Sequence, residues 1–273
     1  MFGRPLQLAR PGLFITGTDT GVGKTVVTCA IAMALRRQLS DGPGNSRLGV
    51  CKPMASGCRR EREGLVSGDT EALAHFADCR QPLDVINPVR YAAPVAPAVA
   101  AEMSGQAVDF TAIARSLEVL DSTSDFLLIE GVGGLMVPID HAHPGRTILD
   151  MIVALGYPVA VVARAALGTL NHTAMTVALL RQAKCRIAGI IINGYDPDSS
   201  KQGDRAADLS MSSNRQWLAR MTRLPILATV PICPTAEVAV EKGKLSPAVV
   251  EAVAVTYWPE VLAAPTGNRG RAE

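Results

Sequence analysis

Short apolar runs alternate with longer helical stretches along the chain. The runs LFITG (13–17), LGVCKP (48–53), FLLIE (126–130), PVAVVA (158–163), IAGIII (187–192) and ILATV (226–230) read as strands. They are mostly unbroken Val, Ile, Leu and Ala rather than strict alternations, the pattern of a sheet covered by helices on both faces. Helices are expected near 23–39, 69–77, 109–120, 147–155, 170–184, 204–221 and 246–255. GGLMVPI (133–139) follows a strand directly and reads as a short extra strand at the sheet's end. The charged GCRREREGLVSG (57–68) and the Pro-rich NPVRYAAPVAPAV (87–99) read as loops long enough to suggest function. The pattern predicts one α/β domain over 11–262, with a mostly parallel central sheet and helices on both faces. Tails of 1–10 and 263–273 flank it.

Composition narrows the partners more than the fold. The chain's 273 residues suffice for one sizeable α/β domain or two small ones. With 27 basic against 25 acidic residues there is no basic field for nucleic acid. The six cysteines contain no C-x-x-C pair, so neither a zinc site nor a disulfide framework is indicated, which suits a reducing cytoplasm. The best candidate for a membrane span, YPVAVVARAALG, is broken by Arg164. The N-terminus lacks the apolar core of a signal peptide.

Candidate chemistry begins at GTDTGVGKT (17–25), between a strand and a helix. Gly21 and Gly23 permit a tight turn, and Lys24-Thr25 open the helix, as in a phosphate-cradling P-loop. Lys24 would reach the β/γ oxygens and Thr25 would hold Mg²⁺; the fold expected is therefore P-loop NTPase-like. Five residues, rather than the usual four, separate Gly17 from Gly23-Lys24. Lys52 in CKPMASG (51–57) lies at a strand's carboxyl end. It is either a solvated lysine or, one strand along from a P-loop, an active-site cation. Asp69 in SGDTEAL is a helix cap or a Mg²⁺ carboxylate. Glu130 in LLIEGVGG is a metal or water-organising group, or an ordinary Glu before a Gly turn. In LGTLNHT (167–173), Gly168 and Thr169 are expected to leave free amides for an anion, or to form a solvated, self-capped terminus. His141 and His143 form an H-x-H without a third soft ligand nearby and are read as incidental.

These blocks, with NPVRYAAPVAPAVAAE, LLIEGVGGLMVP and GIIING in the same order, resemble the dethiobiotin synthetase family over most of the chain. The five-residue P-loop gap is characteristic of it. The resemblance implies a seven-stranded, mostly parallel sheet in a homodimer. It implies that 7,8-diaminononanoate, CO₂ and ATP become a cyclic urea, ADP and phosphate, through a carbamate and a carbamic-phosphoric anhydride. It assigns Lys24 and Lys52 to catalysis, and Thr25, Asp69 and Glu130 to Mg²⁺. It lines the nucleotide with Gly21, Val22, Gly23, Lys24, Thr25, Val26, Asp69, Glu130, Gly131, Val132, Gly133, Asn193 and Pro231. The substrate falls to Ser56 and to Thr169, Leu170 and Asn171, the last three from the partner subunit. Two departures stand out: Gly21 replaces a Glu found in some members, and YDPDSS (195–200) lacks the Asp that often follows the base-reading Asn. Tyr195 is the candidate for the tyrosine that some members direct at the substrate tail.

Two rivals share the P-loop. A partitioning or iron-protein switch ATPase carries an additional early lysine, where this chain has Thr18 and Asp19. A cobyrinic-acid-type amide synthetase needs a glutaminase domain, for which no room follows residue 200.

Overall fold

The computed structural model describes residues 6, 8–40, 46–62, 64–196 and 210–263. The chain opens with β1 (Gly12–Gly17), α1 (Lys24–Ser40) and β2 (Leu48–Cys51). The short β3 (Met54–Ala55), β4 (Arg59–Glu61) and β5 (Gly64–Val66) lead to α2 (Gly68–Ala77). Next come α3 (Leu83–Ile86), β6 (Val89–Arg90), α4 (Pro97–Ser104), α5 (Phe110–Thr123) and β7 (Phe126–Glu130). The second half contains α6 (Ile148–Leu155), β8 (Val159–Arg164), α7 (Thr169–Gln182), β9 (Ile187–Tyr195) and α8 (Ser210–Thr222). It closes with β10 (Ile226–Pro231), a single 3-10 turn (Val240–Lys242), α9 (Pro247–Ala254) and α10 (Trp258–Ala263).

The main sheet has the order β10-β9-β8-β1-β7-β2. Every pairing in it is parallel. Successive residues of a strand feed opposite cores, which is why the strands are apolar throughout. Leu13 and Ile15 pack with α1, α2, α9 and α10, whereas Phe14 packs with α5, α6 and part of α7. Because β7 and β8 flank β1 on opposite sides, the chain reverses its direction of progress across the sheet at β1. Open α/β sheets bind ligands at such a switch point, beyond the carboxyl ends of the strands.

All six predicted strands are present, with modest shifts in their ends. The sheet has six strands among the described residues, not the seven implied by resemblance. GGLMVPI forms no strand: Val137 N–H bonds back to the Gly134 carbonyl, and one isolated bridge joins Pro138 to Thr147. Pro138, with no N–H of its own, cannot continue a ladder. Strand β2 stops at Cys51 because Lys52 N–H turns to the Ile86 carbonyl (2.8 Å) and Pro53 has no donor. The charged segment expected as a loop contains the antiparallel pair β4–β5. The Pro-rich one contains β6 and the start of α4. The expected helix residues 204–209, residues 197–200 of YDPDSS, and most of both predicted tails lie outside the described residues.

Candidate active site

The P-loop closes tightly because a glycine occupies its innermost position. A Cβ on Gly23 would stand 2.0 Å from Asn193 Nδ2, and the residue has φ +87°. Only without that Cβ can Asn193 Nδ2 donate to the Val22 carbonyl (2.9 Å), tying the end of β9 to the loop. Gly21, at φ +70°, has open space around it. Val26 packs on the core below. Lys24 opens α1 and folds its ammonium back onto the Asp19 carbonyl (2.9 Å). Burial pulls its pKa down; the Glu130 carboxylate opposes this and the Lys52 charge adds to it.

Lys52 is buried where β2 leaves the sheet. Its Nζ donates to Glu130 Oε1 at 2.8 Å and to Asp69 Oδ2. Burial alone would lower the Lys52 pKa, but the Glu130 and Asp69 carboxylates reverse the sign and hold it above the ordinary lysine value. Asp69 shows the mirror image: burial favours its neutral form, yet the Lys52 charge and hydrogen bond keep its pKa below the usual value. Its place in α2 is inside the first turn, with Ser67 at the cap position, so its carboxylate serves the cluster rather than the helix end. The surface-lysine alternative for Lys52 and the helix-cap alternative for Asp69 both fail on this geometry.

Glu130 ends β7 with its side chain fully buried. Its Oε1 accepts from Lys52 and from Thr25 Oγ1, each at 2.8 Å. Its Oε2 is buried without any donor. A buried carboxylate oxygen lacking a donor, beside a second carboxylate and a hydroxyl, suits a small hard cation; Thr25, Asp69 and Glu130 fit Mg²⁺. Among the described residues no three or more His, Cys, Asp or Glu gather as a metal site. Such an ion would therefore complete its shell with phosphate oxygens and water. Gly131, Val132 and Gly133 continue from β7 alongside the P-loop, with Gly131 N–H on the Ile15 carbonyl (2.9 Å).

The remaining candidates share the same sheet edge but not this cluster. Ser56 is half-buried on the turn after β3. Pro231 ends β10 beside Tyr195, which packs against a small apolar cluster around Ala163 and Ile192. Asn193 spends a donor on the P-loop instead of standing free. At α7 the N-cap Gly168 adopts φ 91°, but the Thr169 amide is not free as expected: it donates to the Ala166 carbonyl at 3.3 Å. Leu170 and Asn171 keep first-turn amides with no intrahelical acceptor. His143 Nδ1 lies 3.0 Å from Asp140 Oδ2, and Arg146 pairs with the same oxygen at 2.6 Å, so the loop is held by an Arg–Asp ion pair with His143 beside it.

Sequence reasoning missed Asn87. Fully buried, it donates from Nδ2 to the carbonyls of Lys52 (2.6 Å) and Val89 (3.1 Å). It thereby clamps the backbone that carries Lys52. An Asn before a proline reads as a turn starter, so its sequence signal is ordinary. Arg164, at the end of β8, also escaped notice as a brace: its Nη2 donates to the Thr20 carbonyl of the P-loop (3.0 Å).

Fold and site together define a P-loop NTPase-like α/β domain with a lysine–carboxylate cluster beside the phosphate loop. An AAA domain family (AAA_26) matches residues 11–238. The chain is 40% identical over 220 residues to the ATP-dependent dethiobiotin synthetase BioD of Anaeromyxobacter sp. (strain K), covering 81% of this chain and 89% of that protein. It is 36% identical over 226 residues to the protein of the same name from Thermodesulfovibrio yellowstonii, with the same coverage of both chains. The septum site-determining protein MinD of Pyrococcus horikoshii, complexed with Mg-ADP, shares the fold: TM-score 0.51, 16% identity, 94% of this chain and 100% of that one. The chain belongs to the ATP-dependent dethiobiotin synthetase family.

Proposed function

We propose that this chain converts 7,8-diaminononanoate, CO₂ and ATP into dethiobiotin, ADP and phosphate. The observation that carries the reading is the buried Lys52 cluster, built from Asp69 and Glu130 and joined to the P-loop through Thr25. A nucleotide switch needs a P-loop; it does not need a second buried ammonium facing the phosphate site. The relatives' name gives the product and the ATP dependence, and this chain has Thr18 and Asp19 where a switch ATPase carries its additional early lysine.

The chemical problem is a poor leaving group. An amine adds to CO₂ and releases a proton, giving a carbamate that the second amine cannot displace from. Attack of a carbamate oxygen on the γ-phosphorus, with ADP departing, makes a mixed anhydride. The second amine then attacks the carbonyl carbon and phosphate leaves, closing the ring. Lys24 would neutralise the β/γ oxygens, and Lys52 the charge on the carbamate and the transferring phosphoryl group. Thr25, Asp69 and Glu130 would hold Mg²⁺, which when bound supplies charge neutralisation to the phosphate oxygens. Holding both amines beside one carbon makes ring closure intramolecular, an advantage of up to ~7–11 kcal/mol in well-oriented systems.

Gly131–Gly133, Asn193 and Pro231 would border the nucleotide, with Ser56 on the substrate. The first turn of α7, at Thr169–Asn171, would receive the substrate's tail carboxylate from a partner subunit of a homodimer. The six cysteines, all free, support a cytoplasmic setting. Among the described residues no helix is long and apolar enough to cross a membrane.

The test supplies labelled bicarbonate, ATP, Mg²⁺ and diaminononanoate and looks for an acid-stable labelled urea, omitting each co-substrate in turn. Phosphate release is expected to require both diamine and CO₂. Equal release without the diamine would replace this reading with that of a switch ATPase.

A further inference from the structure

Two of the three groups proposed for the metal, Asp69 and Glu130, already hold a cation of the chain itself, while Glu130 Oε2 stays without a donor. Thr25 Oγ1 and Lys52 Nζ both sit 2.8 Å from the same oxygen, Glu130 Oε1. A carboxylate oxygen offers two lone pairs, so that oxygen is fully used. The same ammonium takes Asp69 Oδ2. Lys24 meanwhile makes no hydrogen bond to either carboxylate, because its ammonium is parked on the Asp19 carbonyl. One lysine thus sits on the ligand set while the other stays off it.

We propose that Lys52 is the resident cation of the metal site: its ammonium occupies the carboxylates until Mg²⁺ arrives, and metal binding displaces it toward the substrate. The inference rests on the assignment of Thr25, Asp69 and Glu130 to the metal. A dication held by all three must sit within about 2.1 Å of each oxygen. An ammonium bonded to two of the same side chains stands against that space, and two cations so close repel strongly. Exchange therefore replaces one charge by another, so that the buried Glu130 always faces a cation, and the metal also gives its donorless Oε2 a partner. It also gives the site a sequence of events. Free metal meets a competitor, whereas a metal–nucleotide complex brings phosphate contacts that help it win. The released ammonium then becomes available beside the transferring phosphoryl group as the nucleotide is seated.

Manganese, as a spectroscopic substitute for magnesium, tests this without turnover. Mn²⁺ titration followed by electron paramagnetic resonance, on nucleotide-free protein, should show Lys52→Met binding the ion on the order of tenfold tighter than wild type, within the usual range for coupled sites. Lys24→Met should shift affinity by less than about threefold, since Lys24 does not hold the ligands. No tightening in Lys52→Met overturns the proposal. Equal tightening in both variants also overturns it, because a general charge effect would then suffice. If Lys52→Met does not fold, the wild-type protein decides. Its Lys52 ¹⁵N ammonium resonance should be sheltered from exchange with water in the metal-free state and lose that shelter with Mg²⁺ and a non-hydrolysable ATP analogue. An unchanged resonance overturns the exchange. Metal exchange seen without any urea formation would leave this inference standing and sink the dethiobiotin reading alone.

Discussion

At the centre of the strand edge, Lys24, Thr25, Lys52, Asp69 and Glu130 come together from separate parts of the chain; the last four bond one another through side chains, and Lys24 bonds the Asp19 carbonyl. Along the same edge, the start of α7 and the ends of β9 and β10 offer mostly backbone: first-turn amides, the Asn193 amide already committed to the P-loop, and Pro231. The two regions differ in what they must do. Reacting groups need fixed charges in a dry place, and burial makes each charge depend on its partner. Recognition of a distal carboxylate needs only oriented donors, which a helix start provides without a charged side chain. The central half is therefore assembled within one chain, whereas the peripheral half takes, on the proposed reading, its ligand through a second subunit.

Removing the central ammonium should separate the halves most sharply. Lys52→Ala is expected to lower kcat on the order of 10²–10³-fold, the scale for one charge-stabilising donor, with affinity for metal-free nucleotide nearly unchanged. Turnover against diamine and an equilibrium nucleotide titration check it. An unchanged kcat would move Lys52 out of the chemistry and dissolve the comparison.

Asp69→Asn probes the metal side. It should raise the Mg²⁺ concentration needed for half-maximal rate roughly tenfold, the lower end of the cost of losing a partner at a metal site. Stability gives a second handle. Because the folded pKa of Asp69 is depressed, its stabilisation is complete above the unfolded value of about 3.9 and is lost as pH falls through the lower folded value. The stability gap between wild type and Asp69→Asn should thus shrink on acidification from pH 7 toward about pH 3 in urea melts. A gap that stays constant with pH would show that the charge on Asp69 is not what holds it.

Asn87→Ala tests whether the central half depends on its support. It strips donors from the buried carbonyls of Lys52 and Val89, with an expected loss of about 1–3 kcal/mol in denaturant melts. If Asn87 also positions Lys52, kcat falls several-fold at constant nucleotide affinity, on the scale of a misplacement rather than of a lost charge. A stability loss with unaltered kcat would reduce Asn87 to a core residue.

What could be read from the sequence follows the same division. The strands were legible because burial on both faces demands unbroken apolar runs, as in Gly12–Gly17, whose residues are all buried. The P-loop, Lys52, Asp69 and Glu130 were legible as blocks at strand and helix ends. Their pairing was not, since Lys52 and Glu130 lie 78 residues apart and meet only through β2 and β7. Helix α4 was hidden inside a Pro-rich stretch, although Pro97 occupies a first-turn position where proline is favourable. The β4–β5 hairpin is mostly exposed and charged, so it carries no hydrophobic period to detect. At α7 the sequence showed an uncapped helix start but could not show that Ala166 would absorb the Thr169 amide.

The smallest expected effect bears on that helix start and on whether it acts across a dimer. With Thr169 engaged, Leu170 and Asn171 remain to meet a carboxylate, and a helix terminus offers an anion ~0.3–1 kcal/mol, or up to ~2 when partly buried. Such a contact lies far from the reacting amines and is held alike in ground and transition states, so it belongs in KM. Gly168 at φ 91° sets the entry to the helix, and proline would force φ near −65° there. Gly168→Pro should raise KM for the diamine roughly 2–30-fold while nucleotide affinity stays close to wild type. Mixing this variant with Lys24→Ala subunits distinguishes one-chain from two-chain sites. If the clamp comes from the partner, each heterodimer contains one site made of two intact halves, and activity at low diamine rises above either parent. Subunit exchange confirmed by mass without such a rise would place the clamp in the same chain as the P-loop. The peripheral half would then be as self-contained as the central one.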